Sequence, residues 1–288
     1  MSDRAKGVAL CLAAGLLWSI AGLLVRSMEQ ATPWQINAWR SAFMALAVFA
    51  YLGLRYRGGI AGACRAIGRT GLAAAFFVAL SNMCFIVSLA GLTVANALFT
   101  FTIKPLLAAL LGWALLRERV APATWRAMAV AALGIAIMAG DDLAADRLLL
   151  TGVAILGAVA FSFYAALFRM GRGADMMPAL GLAGAMVAAI GSAAAGFDLA
   201  VGWHDLGLLA VFGIVQAAIG LFLFIAGARY LPAAEIALIT LVEIVLGPFW
   251  VFLAFDEVPS WATLAGGALI LGAVAGQALA ARPRGGPA

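Results

Sequence analysis

Phe99–Leu111 reads FTFTIKPLLAALL and sets one lysine, Lys104, inside a run that is otherwise uncharged. No charged residue stands between Leu92 and Ile103 before it, or between Pro105 and Leu116 after it. At 1.5 Å per residue, a helix of this length crosses about 30 Å of hydrocarbon. A charge at the centre of such a span costs about 2.5–3.5 kcal/mol on insertion scales. Lys104 therefore calls for a partner or a function.

The surroundings of this run repeat its character. The 288 residues are 66% hydrophobic and 11% charged, against about 25% charged in soluble domains. The apolar residues fall into blocks of roughly twenty, the length of a membrane span. The composition predicts an all-α, multi-pass membrane protein embedded in a lipid bilayer. Ten spans are expected, over 7–26, 34–54, 70–90, 93–116, 122–140, 148–169, 178–197, 205–229, 232–254 and 260–281. The first block follows Arg4 and Lys6 as a signal peptide would, but its length and its place in the repeat below make it a span. Pro33, Pro122, Pro178, Pro232 and Pro259 stand at span starts, where a missing N–H costs nothing. Only 55–69 and 141–147 have the polar body of a loop.

Loop charge gives an orientation. On the side of the N-terminus lie Arg4, Lys6, Arg55, Arg57, Arg65, Arg69, Arg117, Arg119, Arg169, Arg172, Arg229, Arg282 and Arg284. The other side has Arg26 and Arg147, with the acids Glu29, Asp141, Asp142, Asp146, Asp198, Asp205, Asp256 and Glu257. Both termini are expected in the cytoplasm. The positive loops need no nucleic acid to explain them.

An internal repeat emerges from aligning the halves. Residues 92–129 lie on 231–268 without a gap: Leu92 on Leu231, Ala95 on Ala234, Glu118 on Glu257, Ala123-Thr124 on Ala262-Thr263. Trp18-Ser19 through Arg26 lies on Phe161-Ser162 through Arg169. Both offsets are about 140 residues, or five spans. An odd number of spans turns the second copy upside down, the architecture of many secondary transporters. The expected units are 1–145 and 146–288. Under this offset Lys104 falls on Glu243, at matching depth about 16 Å into its span from the opposite side.

The segments ALFTFTIKPLLAALLGWALLRERVAPATWRAMAVAALGIAIMAG (97–140) and AAEIALITLVEIVLGPFWVFLAFDEVPSWATLAGGALILGAV (233–274) resemble the ends of the two repeats in ten-span, EamA-type members of the drug/metabolite transporter superfamily. The shared features are the mid-span proline, the glutamates Glu118 and Glu257 closing each span, the glycine-rich span that follows, and Arg40 in span two. Ile244 stands where the family often has proline, with Pro248 a turn later, and Arg117 replaces a common glycine. The chain looks most like bacterial exporters of aromatic and other amino acids. The resemblance implies export of small metabolites without ATP.

Lys104 and Glu243 are the leading candidates for a central substrate site. They would meet the carboxylate and the ammonium of a zwitterion, or form an ion pair that only ties spans four and nine together. Pro105 and Pro248 interrupt the backbone ladder beside them and are candidate hinges. Trp18 and Tyr164 occupy equivalent parts of spans one and six and could wall a cavity. Asn82, Ser19, Gln216 and Asn96 are further polar candidates, although buried amides commonly bond a neighbouring helix instead. Arg40 is read as structural, capping carbonyls or pairing with an external acid. Phe99, Phe101, Trp113, Phe161, Phe163 and Trp250 are expected to pack or face lipid, and Glu235 and Arg126 to reach the interface. Gly272 and Gly276 form a GxxxG suited to a tight helix contact, within the bundle or between two chains, so both a monomer and a homodimer are open.

Other classes find little support. There is no P-loop for ATP, no nucleophile–base pair at readable spacing and so no catalytic residue, and no cluster for a metal. Cys11, Cys64 and Cys84 suit neither a disulfide framework nor zinc, and His204 reads as interfacial. No cofactor is expected. The alternatives are an intramembrane enzyme or lipid flippase on the same bundle, and a chromophore bound to Lys104 as a Schiff base.

Overall fold

Helix signals in the sequence act where they stand. The structure, a computed structural model, describes residues 2–57, 59–116, 122–140, 145–170, 175–231 and 233–280. The Ser2 hydroxyl caps α1 (Asp3–Ser19) by accepting from the Ala5 N–H, and α2 (Ala21–Arg26) continues the same rod. A capping box of Thr32 and Gln35, with Pro33 in the first turn, starts α3 (Pro33–Tyr56). The arginine-rich stretch expected as a loop contains a short helix, α4 (Ile60–Ala66). Next come α5 (Gly68–Gly91), α6 (Val94–Phe101), α7 (Lys104–Leu116), α8 (Pro122–Gly140), α9 (Ala145–Met170) and α10 (Met177–Ala194). Helix α11 (Trp203–Ala210) runs through a π-helical segment, Val211–Ile219, into α12 (Gly220–Ala228). Finally come α13 (Ala233–Phe255) and α14 (Trp261–Ala280).

The described residues are helical or irregular, with no strand. Among the described residues, seven stretches are long and apolar enough to cross a membrane: Asp3–Arg26, Gly68–Gly91, Val94–Leu111, Pro122–Ala139, Asp146–Leu167, Met177–Ala194 and Trp203–Ala228. Leu241–Phe255 and Trp261–Gln277 are shorter apolar helices. Large apolar side chains face outward, as lipid solvation requires. Trp203 (89% exposed) and Trp261 (86%) stand in first turns, where an amphipathic indole suits the headgroup region. Arg117, Glu118, Arg119, Asp141, Asp142, Arg172, Pro232, Arg282, Arg284 and the side chain of Arg169 lie outside the described residues.

Packing joins the two halves of the chain. Helix α3 lies on α10, α5 on α9, α8 on α14, and α1 on α12 and α13. Helices α5 and α10 also touch, as do α3 and the π-helical segment. Polar contacts fix the ends. Asp205, fully buried, accepts the backbone N–H groups of Glu29, Gln30 and Ala31, each at 2.9 Å, and so pins the α2–α3 loop to α11. Glu257 takes Arg26 Nε at 2.8 Å and the Val94 N–H at 2.7 Å, joining α2, α6 and the segment after α13.

Within the chain, the tight glycine contact does not involve Gly272 and Gly276. A Cβ on either of those would meet nothing within 4 Å. The close approach lies one to two turns earlier, where a Cβ on Gly134 would stand 2.6 Å from the carbonyl oxygen of Gly266. Only residues without a side chain let α8 and α14 come this near. Gly134→Leu is therefore expected to destabilise the detergent-solubilised protein by about 1–3 kcal/mol, read as a lower thermal midpoint. Gly272→Leu, pointing into open space, should shift it by less than about 0.5 kcal/mol.

Candidate functional site

A cavity of about 540 Å³ opens among α1, α3, α5, α7, α9, α10, the π-helical segment, α12 and α13. This lies within the range of small-molecule sites, about 300–1,000 Å³. Its walls are built by breaks in helical regularity. Pro105 has no N–H for the Phe101 carbonyl, and the backbone answers with a tighter step. Thr102 and Ile103 donate to Phe99 and Thr100, three residues back, and Leu106 donates to Ile103. Helix α7 restarts at Lys104. The Lys104 carbonyl accepts from the Ser162 hydroxyl at 3.0 Å, which anchors the break to α9.

The Lys104 ammonium faces the cavity beside two aromatic rings, 4.7 Å from the centroid of Phe161 and 5.6 Å from that of Phe101. Ring faces stabilise a partly desolvated cation without neutralising it. Glu243, midway along α13, lines the same cavity. Trp18, Tyr164, Asn82 and Gln216 complete the set of sequence candidates that the fold brings together here. The Trp18 ring packs on Phe224, with centroids 5.2 Å apart, and Tyr164 on Phe161 at 5.3 Å. Gln216 sits on the π-helical segment, donates to the Trp18 carbonyl at 3.3 Å, and leaves its Oε1 without a partner among the described residues.

Other candidates lie elsewhere. The Ser19 hydroxyl donates to the Leu16 carbonyl and accepts from Trp250 Nε1 at 3.0 Å, which ties α1 to α13. Asn96 Oδ1 accepts from the Thr263 hydroxyl at 2.7 Å, joining α6 to α14. Neither lines the cavity. Pro105 lines it, whereas Pro248 lies inside α13, which stays helical through it. Glu235 pairs with Arg4 at 3.2 Å, Arg126 is exposed, and the His204 ring stands 3.3 Å from Asp205.

Arg40 is where the structure departs most from the sequence expectation. It neither caps carbonyls nor meets an external acid among the described residues. It is 5% exposed, lines the cavity, and lays its guanidinium 4.6 Å from the Phe212 ring centroid. One long hydrogen bond, 3.4 Å, reaches from Nη1 to Asn82 Oδ1, and Nε has no partner among the described residues. Phe85, Phe224 and Ser81 also line the cavity and carried no sequence signal of their own. Phe101 and Phe161, expected as packing or lipid-facing residues, stand on its wall. No cluster of three or more metal-ligating side chains occurs among the described residues.

Residues 5–140 match the EamA-like transporter family. An uncharacterized transporter of Vibrio cholerae serotype O1 is 31% identical over 170 residues, covering 56% of this chain and 53% of that protein. The chain thus spans about half the length of that curated relative. One crystal structure, 22% identical in sequence, superposes with a TM-score of 0.66 over 97% of this chain and 98% of its own, a likeness of fold.

Proposed function

We propose that this chain, whose residues 5–140 match the EamA-like transporter family, is a secondary transporter that exports zwitterionic metabolites, amino acids with aromatic side chains among them. The observation that carries the reading is the placement of Lys104 and Glu243 on one cavity. Two opposite charges in an otherwise aromatic and aliphatic chamber match the two charges of an amino acid. Lys104 would receive the carboxylate and Glu243 the ammonium, with Trp18, Phe161 and Tyr164 against the side chain.

Ten rods arise if the short α4 is set aside, α1 and α2 are joined, α6 and α7 are joined, and α11 through α12 is taken as one. Moving every rod five places on maps the most extensive helix contacts onto one another. The α5–α9 contact becomes the α12–α1 contact, α6–α9 becomes α13–α1, and α5–α10 becomes that of the π-helical segment with α3. This exchange supports two five-span units, 1–145 and 146–288, related by a pseudo-twofold axis. Transport would proceed by rocking one unit against the other, so that the cavity faces each side in turn. Pro105, at a break already present, is the better placed of the two hinge candidates. The basic loops on the N-terminal side support cytoplasmic termini in a bacterial inner membrane.

Counterflow in liposomes of purified protein tests the reading, with labelled amino acids, nucleosides and cationic drugs in parallel. Stereospecific amino-acid exchange is expected. Exchange of drugs or nucleosides alone would refute the zwitterion site, and scrambling of labelled lipid without solute exchange would favour a flippase.

A further inference from the structure

Of the charged groups on the cavity, Arg40 is the one that a zwitterion leaves unanswered. Its guanidinium is almost wholly buried, and burying an unpaired charge is expensive. The Phe212 ring and one long bond to a neutral amide compensate little of that cost. Among the described residues Nε lacks a partner and no acidic side chain pairs with Arg40. The formal charges on the cavity therefore sum to +1, from Lys104, Arg40 and Glu243.

The local backbone holds this group rigidly. The π-helical segment presses Gly213 against the Arg40 carbonyl, and this sets Phe212 under the guanidinium. Asn82 on α5 spends its Oδ1 on Arg40 and has an amide NH₂ to offer beside it. A guanidinium fork next to an amide donor is a fitting receptor for a carboxylate.

We infer that Arg40, with Asn82, is a second anion-recognising contact, and that the preferred substrates are amino acids whose side chain ends in a second acidic group. This rests on the proposal that Lys104 and Glu243 hold the zwitterionic head. A substrate of net charge −1 balances the cavity. Its carbon stem crosses the aromatic wall between the two ends. Neutral amino acids still enter, but leave the Arg40 charge unpaired, and a site with an unanswered polar group discriminates against them.

The test compares pairs that differ only in that terminal group: glutamate with glutamine, and 4-carboxyphenylalanine with phenylalanine. In counterflow the acidic member of at least one pair is expected to exchange at least about tenfold faster. Arg40→Gln should bring that ratio to about one. Asn82→Asp gives Arg40 an internal carboxylate without changing side-chain size, and should bring it to about one as well, which guards against an Arg40 variant that fails to fold. Arg40→Lys, which keeps the charge, should retain a preference for the acid. Ratios near one in the parent, with both members exchanged, would overturn the Arg40 assignment and leave the zwitterion site standing. A parent preference that survives both Arg40→Gln and Asn82→Asp would also overturn it. Exchange of none of the four compounds would remove both readings.

Discussion

Lys104→Met is expected to lower amino-acid counterflow by about thirtyfold or more. Removing one partner of a buried, charge-assisted contact costs about 2–5 kcal/mol, and each 1.4 kcal/mol is about tenfold in affinity. Methionine preserves most of the volume against Phe101 and Phe161, so the wall itself survives. The variant also removes the cation that shares the cavity with the half-buried Glu243, a cost in its own right. The double variant Lys104→Met with Glu243→Gln separates these effects. If the two residues only tie α7 to α13, removing both should be tolerated and transport should recover. If they bind substrate, the double variant stays folded and inactive. Thermal stability and counterflow, measured on the same preparations, distinguish the two outcomes.

Glu243→Gln alone is expected to reduce exchange by a similar factor, because glutamine offers an ammonium a neutral oxygen in place of a carboxylate. It also reports on coupling. A carboxylate facing both Lys104 and the cavity is placed to exchange a proton for the substrate ammonium. On that basis the residual flux of the variant should not vary between pH values on either side of neutrality, whereas the parent flux should. A variant with the parent's pH dependence would remove Glu243 as proton carrier and leave downhill efflux as the coupling mode.

The features legible in the sequence were those carried by single residues in a uniform background. Lys104 stood out because 34 uncharged residues precede it and 12 follow it, and Glu243 followed from the repeat offset. Pro105 announced the break that now orients Lys104. The helices α3, α5, α9 and α14 begin and end within a few residues of their expected limits. What the sequence hid depends on rotation about helix axes. Arg40 lies on a helix with Gln35, Asn37 and Ser41 nearby, and only packing against α10 and the π-helical segment decides which of them meets the cavity. That segment, VFGIVQAAI, has the composition of any apolar helix. Its wider turn re-aims Phe212 and Gln216, and no 3.6-residue pattern foretells it. Ser19 and Asn96 were plausible site residues, but Trp250 and Thr263 take up their hydrogen bonds. Gly272 and Gly276 had the right spacing on a face that no neighbour uses, whereas Gly266 had a partner that only the fold reveals.

The central claim is that one chamber reads both charges of its substrate, and the most direct measurement removes those charges from the substrate one at a time. Counterflow of a transported amino acid is compared with that of its N-acetyl derivative, which has no ammonium, and its amide, which has no carboxylate. The account predicts rapid exchange of the intact compound and loss of exchange for both derivatives. Derivatives that exchange as fast as the intact compound would contradict it.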